Sequence, residues 1–339
     1  MKSPGAPPLG GAPGIADTGD PFIEPDAHVS DSRTDAPLQA AIGIVEAALA
    51  DASRRPVVHT CFDEATFTAT HVVADPVTRA SAVIDSVLDF DAASGRTRTT
   101  SVEAVRRHLA DEELALQWVL ETHAHADHLS AAPLLRSANA PLGIGAGIGE
   151  VHAAFAPVFG EAIAPPSDVP AFDRLFADGE RFRVGGLDAI VLRVPGHTPA
   201  CIAYVIGDAV FVGDTLFMPD YGTARCDFPG GSAAQLYRSI QRLFGLPDET
   251  RVFLCHDYKA PGRDVYAWET TIGAERAGNL HVRDGIDEAS FVALRTARDA
   301  TLPVPKLMLP AVQVNLRGGR LPPPEANGVA YLKLPIDAV

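Results

Sequence analysis

Glu121-Thr122-His123-Ala124-His125-Ala126-Asp127-His128 follows directly on an apolar run, Leu114 to Leu120, that reads as a buried strand. In extended chain, residues two apart point the same way, so His123 and His125 project together from the strand end. A turn into a following helix, expected to run through Leu135, folds Asp127 and His128 back beside them. A rigid strand end thus offers up to four ligands in one short loop. In a chain with 11 histidines, an H-x-H-x-D-H string arises by chance with a probability of roughly 0.001. The bland readings are a solvated polar loop or histidines bonded to one another. His and Asp clusters of this kind more often hold a metal.

Three later segments share this context. Pro195-Gly196-His197-Thr198-Pro199 puts a histidine in a tight turn after one strand, and Gly213-Asp214-Thr215-Leu216 puts a carboxylate after another. Leu254-Cys255-His256-Asp257-Tyr258 puts a histidine after a third. Strand-end loops are where α/β enzymes build their sites. Each alone reads as a satisfied turn residue, but together and in this order they complete a ligand set.

Around these segments the pattern is mixed. Val57 to Cys61, Phe67 to Ala74, Ala82 to Val87, Leu187 to Val194, Cys201 to Ile206, Ala209 to Val212 and Val252 to Leu254 read as strands. Ser101 to Ala110, with Ser101 as its cap and Glu103 in its first turn, and Ala233 to Phe244 read as helices. Hairpins and crossovers together predict an α/β (α+β) fold of two mixed sheets packed face to face with helices outside. Residues 1 to about 35 are rich in Pro and Gly and are expected to be disordered, with a short Ala- and Leu-rich helix over residues 36 to 52. The expected organisation is an N-terminal extension, 1–52, and a catalytic domain, 53–339.

The 339 residues are 47% hydrophobic, ample for a buried core. A net charge of -15 repels phosphate backbones and anionic membranes, which argues against nucleic-acid and membrane partners. Cys61, Cys201, Cys226 and Cys255 form no C-x-x-C pair and fit a reducing compartment; Cys61 reads as a small core residue. Without an apolar h-region, an Arg-rich leader or a membrane-length apolar run, the expected location is cytoplasmic.

The set H-x-H-x-D-H, G-H-T, G-D-T and a late histidine resembles the metallo-β-lactamase superfamily over about Val57 to Tyr258. The resemblance implies an αββα sandwich with the metal site at one edge between the sheets. His123, His125, Asp127, His128, His197, Asp214 and His256 match all seven of its metal positions. A finer resemblance is to the persulfide dioxygenase (sulfur dioxygenase) branch. It rests on His256-Asp257-Tyr258, Arg225-Cys226-Asp227-Phe228, Thr271-Ile272 leading to Glu275-Arg276 and Asn279, and on Thr66-Phe67-Thr68 and Ala82-Val83-Ile84-Asp85 upstream. The tail, Leu302 to Lys306 and Val314 to Arg317, adds to it and looks specific to the branch. Ser86 departs from the branch's usual Pro, and Cys226 from the Thr of several members.

That branch implies one Fe²⁺ per chain on His123, His197 and Asp214, a 2-His-1-carboxylate face with room for O₂ and a substrate sulfur. His125, Asp127, His128 and His256 then orient ligands and water, with Tyr258, Asp127 and His128 as catalytic side chains. The implied reaction, part of sulfur metabolism, is oxidation of glutathione persulfide by O₂ to sulfite and glutathione. Arg225 and Arg276 are expected to take the substrate's carboxylates, Asp227 its amine, and the Tyr258 hydroxyl to reach it. Asp85 is expected to be a structural hydrogen-bonder. The alternative is a dinuclear hydrolase of the glyoxalase II-like thioesterase or lactonase type, with two Zn²⁺ bridged by Asp214 and a metal-bound hydroxide as nucleophile. A β-lactamase and a non-catalytic metal scaffold are weaker alternatives, and a homo-oligomer is compatible with all of these.

Overall fold

Residues 35–160 and 171–337 are described by the structure, a computed structural model; the expected disorder of the first 34 residues lies outside them. The first half of the chain runs through α1 (Ala36–Ala50), β1 (Val57–Asp63), β2 (Thr68–Ala74), β3 (Ala80–Ile84), β4 (Val87–Asp91), β5 (Arg96–Arg98) and α2 (Thr100–Asp111). It continues through β6 (Ala115–Leu120), β7 (Leu129–Ser130), α3 (Ala132–Leu135), β8 (Leu142–Gly145), α4 (Ile148–Phe159) and β9 (Arg174–Phe176). The second half contributes β10 (Arg181–Val184), β11 (Leu187–Arg193), β12 (Ile202–Ile206), β13 (Ala209–Phe211), α5 (Ala233–Leu243), β14 (Arg251–Phe253) and β15 (Glu269–Thr271). Three helices close it: α6 (Ile272–Gly278), α7 (Glu288–Asp299) and α8 (Met308–Asn315).

Two six-stranded mixed sheets result, in the orders β1-β2-β3-β6-β8-β9 and β10-β11-β12-β13-β14-β15. Hairpins make the antiparallel pairs, and crossovers make β3-β6, β6-β8, β8-β9 and β13-β14 parallel. The inner faces meet in one apolar layer: Val73, Ile84, Leu120 and Phe176 from the first sheet against Val191, Tyr204, Phe211 and Phe253 from the second. Burying each such side chain contributes about 1.5–3 kcal/mol. Helices α2, α4 and α8 cover the first sheet's outer face through Val105, Phe155 and Val312. On the second sheet α1, α5 and α7 do so through Val45, Ile240 and Phe291. This is the mixed α/β layering expected of the fold. No helix among the described residues is long and apolar enough to cross a membrane.

Several local expectations are corrected. The helix placed in an N-terminal extension, of no evident role, packs Leu38, Ala41 and Val45 onto the second sheet and belongs to the same compact unit. The strand expected from Ala82 to Val87 breaks at Asp85, which takes a left-handed backbone (φ 54°) and so frees its carboxylate to turn inward; aspartate tolerates this conformation better than most residues. Ser101 does not cap α2: its hydroxyl donates to Asp89 Oδ1 at 2.8 Å, and Thr99 occupies the cap position. The strand before the histidine loop is buried only at Val119 and Leu120, and the helix after the loop is a single turn preceded by β7.

Candidate metal centre

Four strand ends deliver the donors. The loop after β6 carries His123, His125, Asp127 and His128; the loops after β11, β13 and β14 carry His197, Asp214 and His256. Two glycines make the close approaches possible. Gly196 has φ 142°, and a Cβ there would lie 2.3 Å from the Leu236 nitrogen. Gly213 has φ 54°, and a Cβ there would lie 2.5 Å from Thr122 Oγ1. Only glycine fits such positions.

The donors converge in two groups. His123, His197 and Asp214 bring their ligand atoms within 4.8 Å of one another, as do His125, Asp127, His128 and His256. Asp214 faces both: Oδ2 lies 3.7 Å from His123 Nε2 and 3.6 Å from His197 Nε2, and Oδ1 lies 3.3 Å from His256 Nε2. Asp127 Oδ2 is 3.3 Å from His256 Nε2 and 3.4 Å from His128 Nδ1.

These residues fit a metal on an observation independent of any motif. His123 Nε2, His125 Nδ1, His128 Nε2, His256 Nε2 and Asp214 Oδ1 are all buried and lack a hydrogen-bond partner. Leaving a buried polar atom unsatisfied costs about 1–3 kcal/mol, so a cluster of them calls for a cation. The opposite ring nitrogens are tied down, which fixes which nitrogen is offered. His197 Nδ1 donates to the Arg225 carbonyl at 2.8 Å. His125 Nε2 sits 3.0 Å from both Asp85 Oδ1 and Glu121 Oε2, and His256 Nδ1 is 3.1 Å from the Phe67 carbonyl.

Electrostatics follow from this crowding. Burial, and then the neighbouring His125 and His197, push His123 well below the usual histidine range. His125 moves the other way: burial alone would lower it, but the Asp85 and Glu121 carboxylates raise it well above. Burial likewise works against the Asp127 carboxylate, yet His256 and His128 hold it far down.

Supports lie around the loop: Asp85, expected as a structural hydrogen-bonder, and others unread in the sequence. Glu121 Oε1 accepts from Ser130 Oγ at 2.5 Å. Asn315 of α8 donates from one amide nitrogen to the His125 and His128 carbonyls, both at 2.8 Å, and accepts from Ser130 N. Asp85 Oδ1 and Oδ2 accept from Thr122 N and Oγ1, both at 2.8 Å. Tyr204 donates its hydroxyl to the Glu121 carbonyl at 3.0 Å, across from the other sheet.

A cavity of about 330 Å³ opens beside the donors. Asp127, His197 and Asp214 line it, while His123, His125, His128 and His256 do not. Phe217, Tyr221, Phe228 and Tyr258 form its aromatic side, and Arg225, Arg295, Arg298 and Lys306 its cationic side. Tyr258 packs on His256 with ring centroids 5.9 Å apart. Arg225 is gripped by Asp227 through two bonds of 2.6 Å and donates to the Pro303 carbonyl. Asp227 is therefore occupied with Arg225 and is absent from the lining. Arg276 is not brought to the cavity: it is exposed and paired with Asp248 and Asp284. Arg298 supplies a guanidinium group there instead. Cys226 is buried among apolar side chains, and all four cysteines are free thiols.

The chain belongs to the Metallo-beta-lactamase superfamily, whose model matches residues 75–256. A "Probable metallo-hydrolase" of Burkholderia pseudomallei is 49% identical over 289 residues, covering 82% of this chain and 98% of that one. The mitochondrial persulfide dioxygenase of Homo sapiens is 29% identical over 261 residues, covering 76% and 87% respectively. The crystal structure of ETHE1 from Myxococcus xanthus superposes with a TM-score of 0.62 at 32% identity, covering 78% of this chain and all of that one. The chain is thus similar both to a protein named as a hydrolase and to one named as a dioxygenase.

Proposed function

We propose that this protein is an iron-dependent persulfide dioxygenase that oxidises glutathione persulfide with O₂ to sulfite and glutathione. The observation that carries the reading is the composition of the cavity floor. His197 and Asp214, with His123 behind them, form a compact 2-His-1-carboxylate set, and two of its three members line the cavity against one, Asp127, of the other group. An iron held by that set supplies open positions at which O₂ and a sulfur ligand can be activated together. The reaction balances as persulfide plus O₂ plus water giving thiol, sulfite and protons, with four electrons passing from the outer sulfur to O₂.

The chain's own residues bind and orient. Arg225, fixed by Asp227 and the Pro303 carbonyl, faces the cavity with Arg298 and Lys306 and offers charge-assisted bonds to a substrate's carboxylates. In a protein of net charge -15 this local cationic side gives an anionic thiol somewhere to bind. Phe217, Tyr221 and Tyr258 flank the route to Asp214 and exclude water from the sulfur. Asp127 lies in the cavity lining, where its carboxylate accepts hydrogen bonds from water or substrate, and His128 stands behind it. Similarity to the human persulfide dioxygenase supports the same reading.

The second reading, a dinuclear zinc hydrolase of a thioester or lactone, is favoured by Asp214, which turns one oxygen to each donor group as a bridging carboxylate would, and by the 49% identity to a probable metallo-hydrolase. The two are separated by giving the iron-loaded protein glutathione persulfide in an oxygen electrode. The expected result is O₂ uptake with stoichiometric sulfite. Rapid hydrolysis of S-lactoylglutathione with no O₂ uptake on the persulfide rejects the dioxygenase.

A further inference from the structure

We propose that Arg295 and Asp299, on the last turns of α7, are positioning residues: together they clamp the Thr223–Cys226 segment, so that one stretch of backbone both aims His197 at the metal and holds Arg225 in the cavity. The inference rests on the His123, His197, Asp214 metal set but not on which reaction the metal serves.

The clamp is a buried ion pair with directed bonds. Arg295 is 1% exposed, and its Nε and Nη2 donate to Asp299 Oδ1 at 2.9 and 2.5 Å. Both partners reach out to the same piece of chain. Arg295 Nη1 donates to the Thr223 carbonyl at 3.0 Å, and Asp299 Oδ2 accepts from Cys226 N at 2.9 Å. The segment is therefore held at both ends, one carbonyl and one amide, by a single i,i+4 pair on a helix.

Between those two anchors lies Arg225. Its carbonyl accepts from His197 Nδ1 at 2.8 Å. A carbonyl can only accept, so this bond requires the proton on Nδ1 and leaves Nε2 for a metal. Its guanidinium is in the cavity lining. If the segment shifts, the His197 ring and the Arg225 side chain shift with it. A buried charge pair is weak evidence for stability in itself, and apolar residues of like volume often replace one at no cost. Its retention here is explained by the backbone groups it holds in place.

Metal-free full-length protein is titrated with Co²⁺, reading affinity and the visible absorption of the bound ion. The principal variant is Arg295→Met with Asp299→Leu, which removes both charges and leaves none unpaired. It is expected to fold, by circular dichroism, yet to bind Co²⁺ about 10- to 100-fold more weakly, as supporting partners of a metal ligand do when lost. Its cobalt spectrum is expected to change, and KM for glutathione persulfide to rise. A folded double variant with unaltered Co²⁺ affinity and spectrum overturns the proposal. Arg79→Met breaks an exposed pair with Glu112 at the N-terminal ends of β3 and β6, opposite the strand ends that carry the donors; it is expected to leave the cobalt readouts unmoved, and an equal shift there also overturns the proposal. Should the double variant fail to fold, Asp299→Asn decides. Its single carbonyl oxygen cannot replace both carboxylate contacts, so a smaller shift in the same direction supports the clamp and no shift overturns it. Failure of the wild type to oxidise the persulfide strikes the dioxygenase reading alone and leaves the cobalt result standing.

Discussion

The metal loop and the cavity wall achieve order by different means. The loop packs His123, His125, Asp127 and His128 into consecutive turns at a strand end, and buried side chains from Asp85, Glu121, Ser130 and Asn315 tie it down. The wall collects Arg225, Tyr258, Arg295 and Lys306 from separate stretches of chain, with Arg225 and Arg295 fixed by ion pairs with Asp227 and Asp299 and by bonds to the Thr223 and Pro303 carbonyls. The loop's donors are neighbours in the chain, whereas the wall depends on distant segments being held in place.

The largest test of this contrast falls on the donors. His197→Ala should lose most of its iron, because two ligands cannot keep a facial site. Asp127→Ala should keep close to one iron per chain when iron is in excess, with activity reduced by about 10- to 100-fold. Elemental analysis of both variants and the wild type checks this. Two metals per wild-type chain, halved by Asp127→Ala, would replace the one-iron centre with a dinuclear one.

A smaller effect is expected in the wall. Arg225→Ala should raise KM for a glutathione-based substrate by the loss of a charge-assisted bond worth about 1.5–3 kcal/mol. Iron content should stay unchanged, because His197 leans on the Arg225 carbonyl and not on its side chain. Steady-state kinetics with metal analysis on the same sample tests both halves. Iron loss in this variant would show that wall and loop are not separable at this residue.

The smallest effect concerns pH. Glu275 is fully buried on α6, accepts from Asn279 Nδ2 at 2.6 Å, and leaves Oε1 without a partner. The same Asn279 amide holds the Gly222 carbonyl of the wall. Burial pushes the Glu275 carboxyl up to about 8, against the Asn279 bond. The fold thus binds this proton more tightly than the unfolded chain does. Its contribution is fully present below the unfolded value of 4.5 and is lost as pH rises through about 8. Glu275→Gln should therefore show a flatter fall in Tm than the wild type between about pH 5 and pH 9. Parallel Tm curves would assign the pH dependence elsewhere.

Contiguity decides what the sequence reveals. The β6 loop is legible because four donors, three His and one Asp, fall within one loop, and the two sheets are legible from runs such as Leu187 to Val194. The break at Asp85 is not, since Ala82 to Val87 reads as one strand and only the fold shows which groups, Thr122 and His125, the carboxylate serves. Arg295 and Asp299 are hidden for a related reason: an i,i+4 charge pair on an amphipathic helix reads as a solvated face until the helix docks. Arg276 shows the converse, a charge whose sequence context suggests the cavity while its partners lie on the surface. Glu121 stands inside the quoted motif, yet its partner Ser130 is reached only through the turn between them.

Asn315 carries a consequence for how the protein is made. It contacts the carbonyls of His125 and His128 from 190 and 187 residues further along the chain. Synthesis runs from the N-terminus, so while a ribosome is still extending the chain, the histidine loop has emerged but its amide staple has not been translated. The loop's supports are complete only once residue 315 has been translated. A nascent chain stalled before α8 would carry every donor and still lack the bonds that hold them in register.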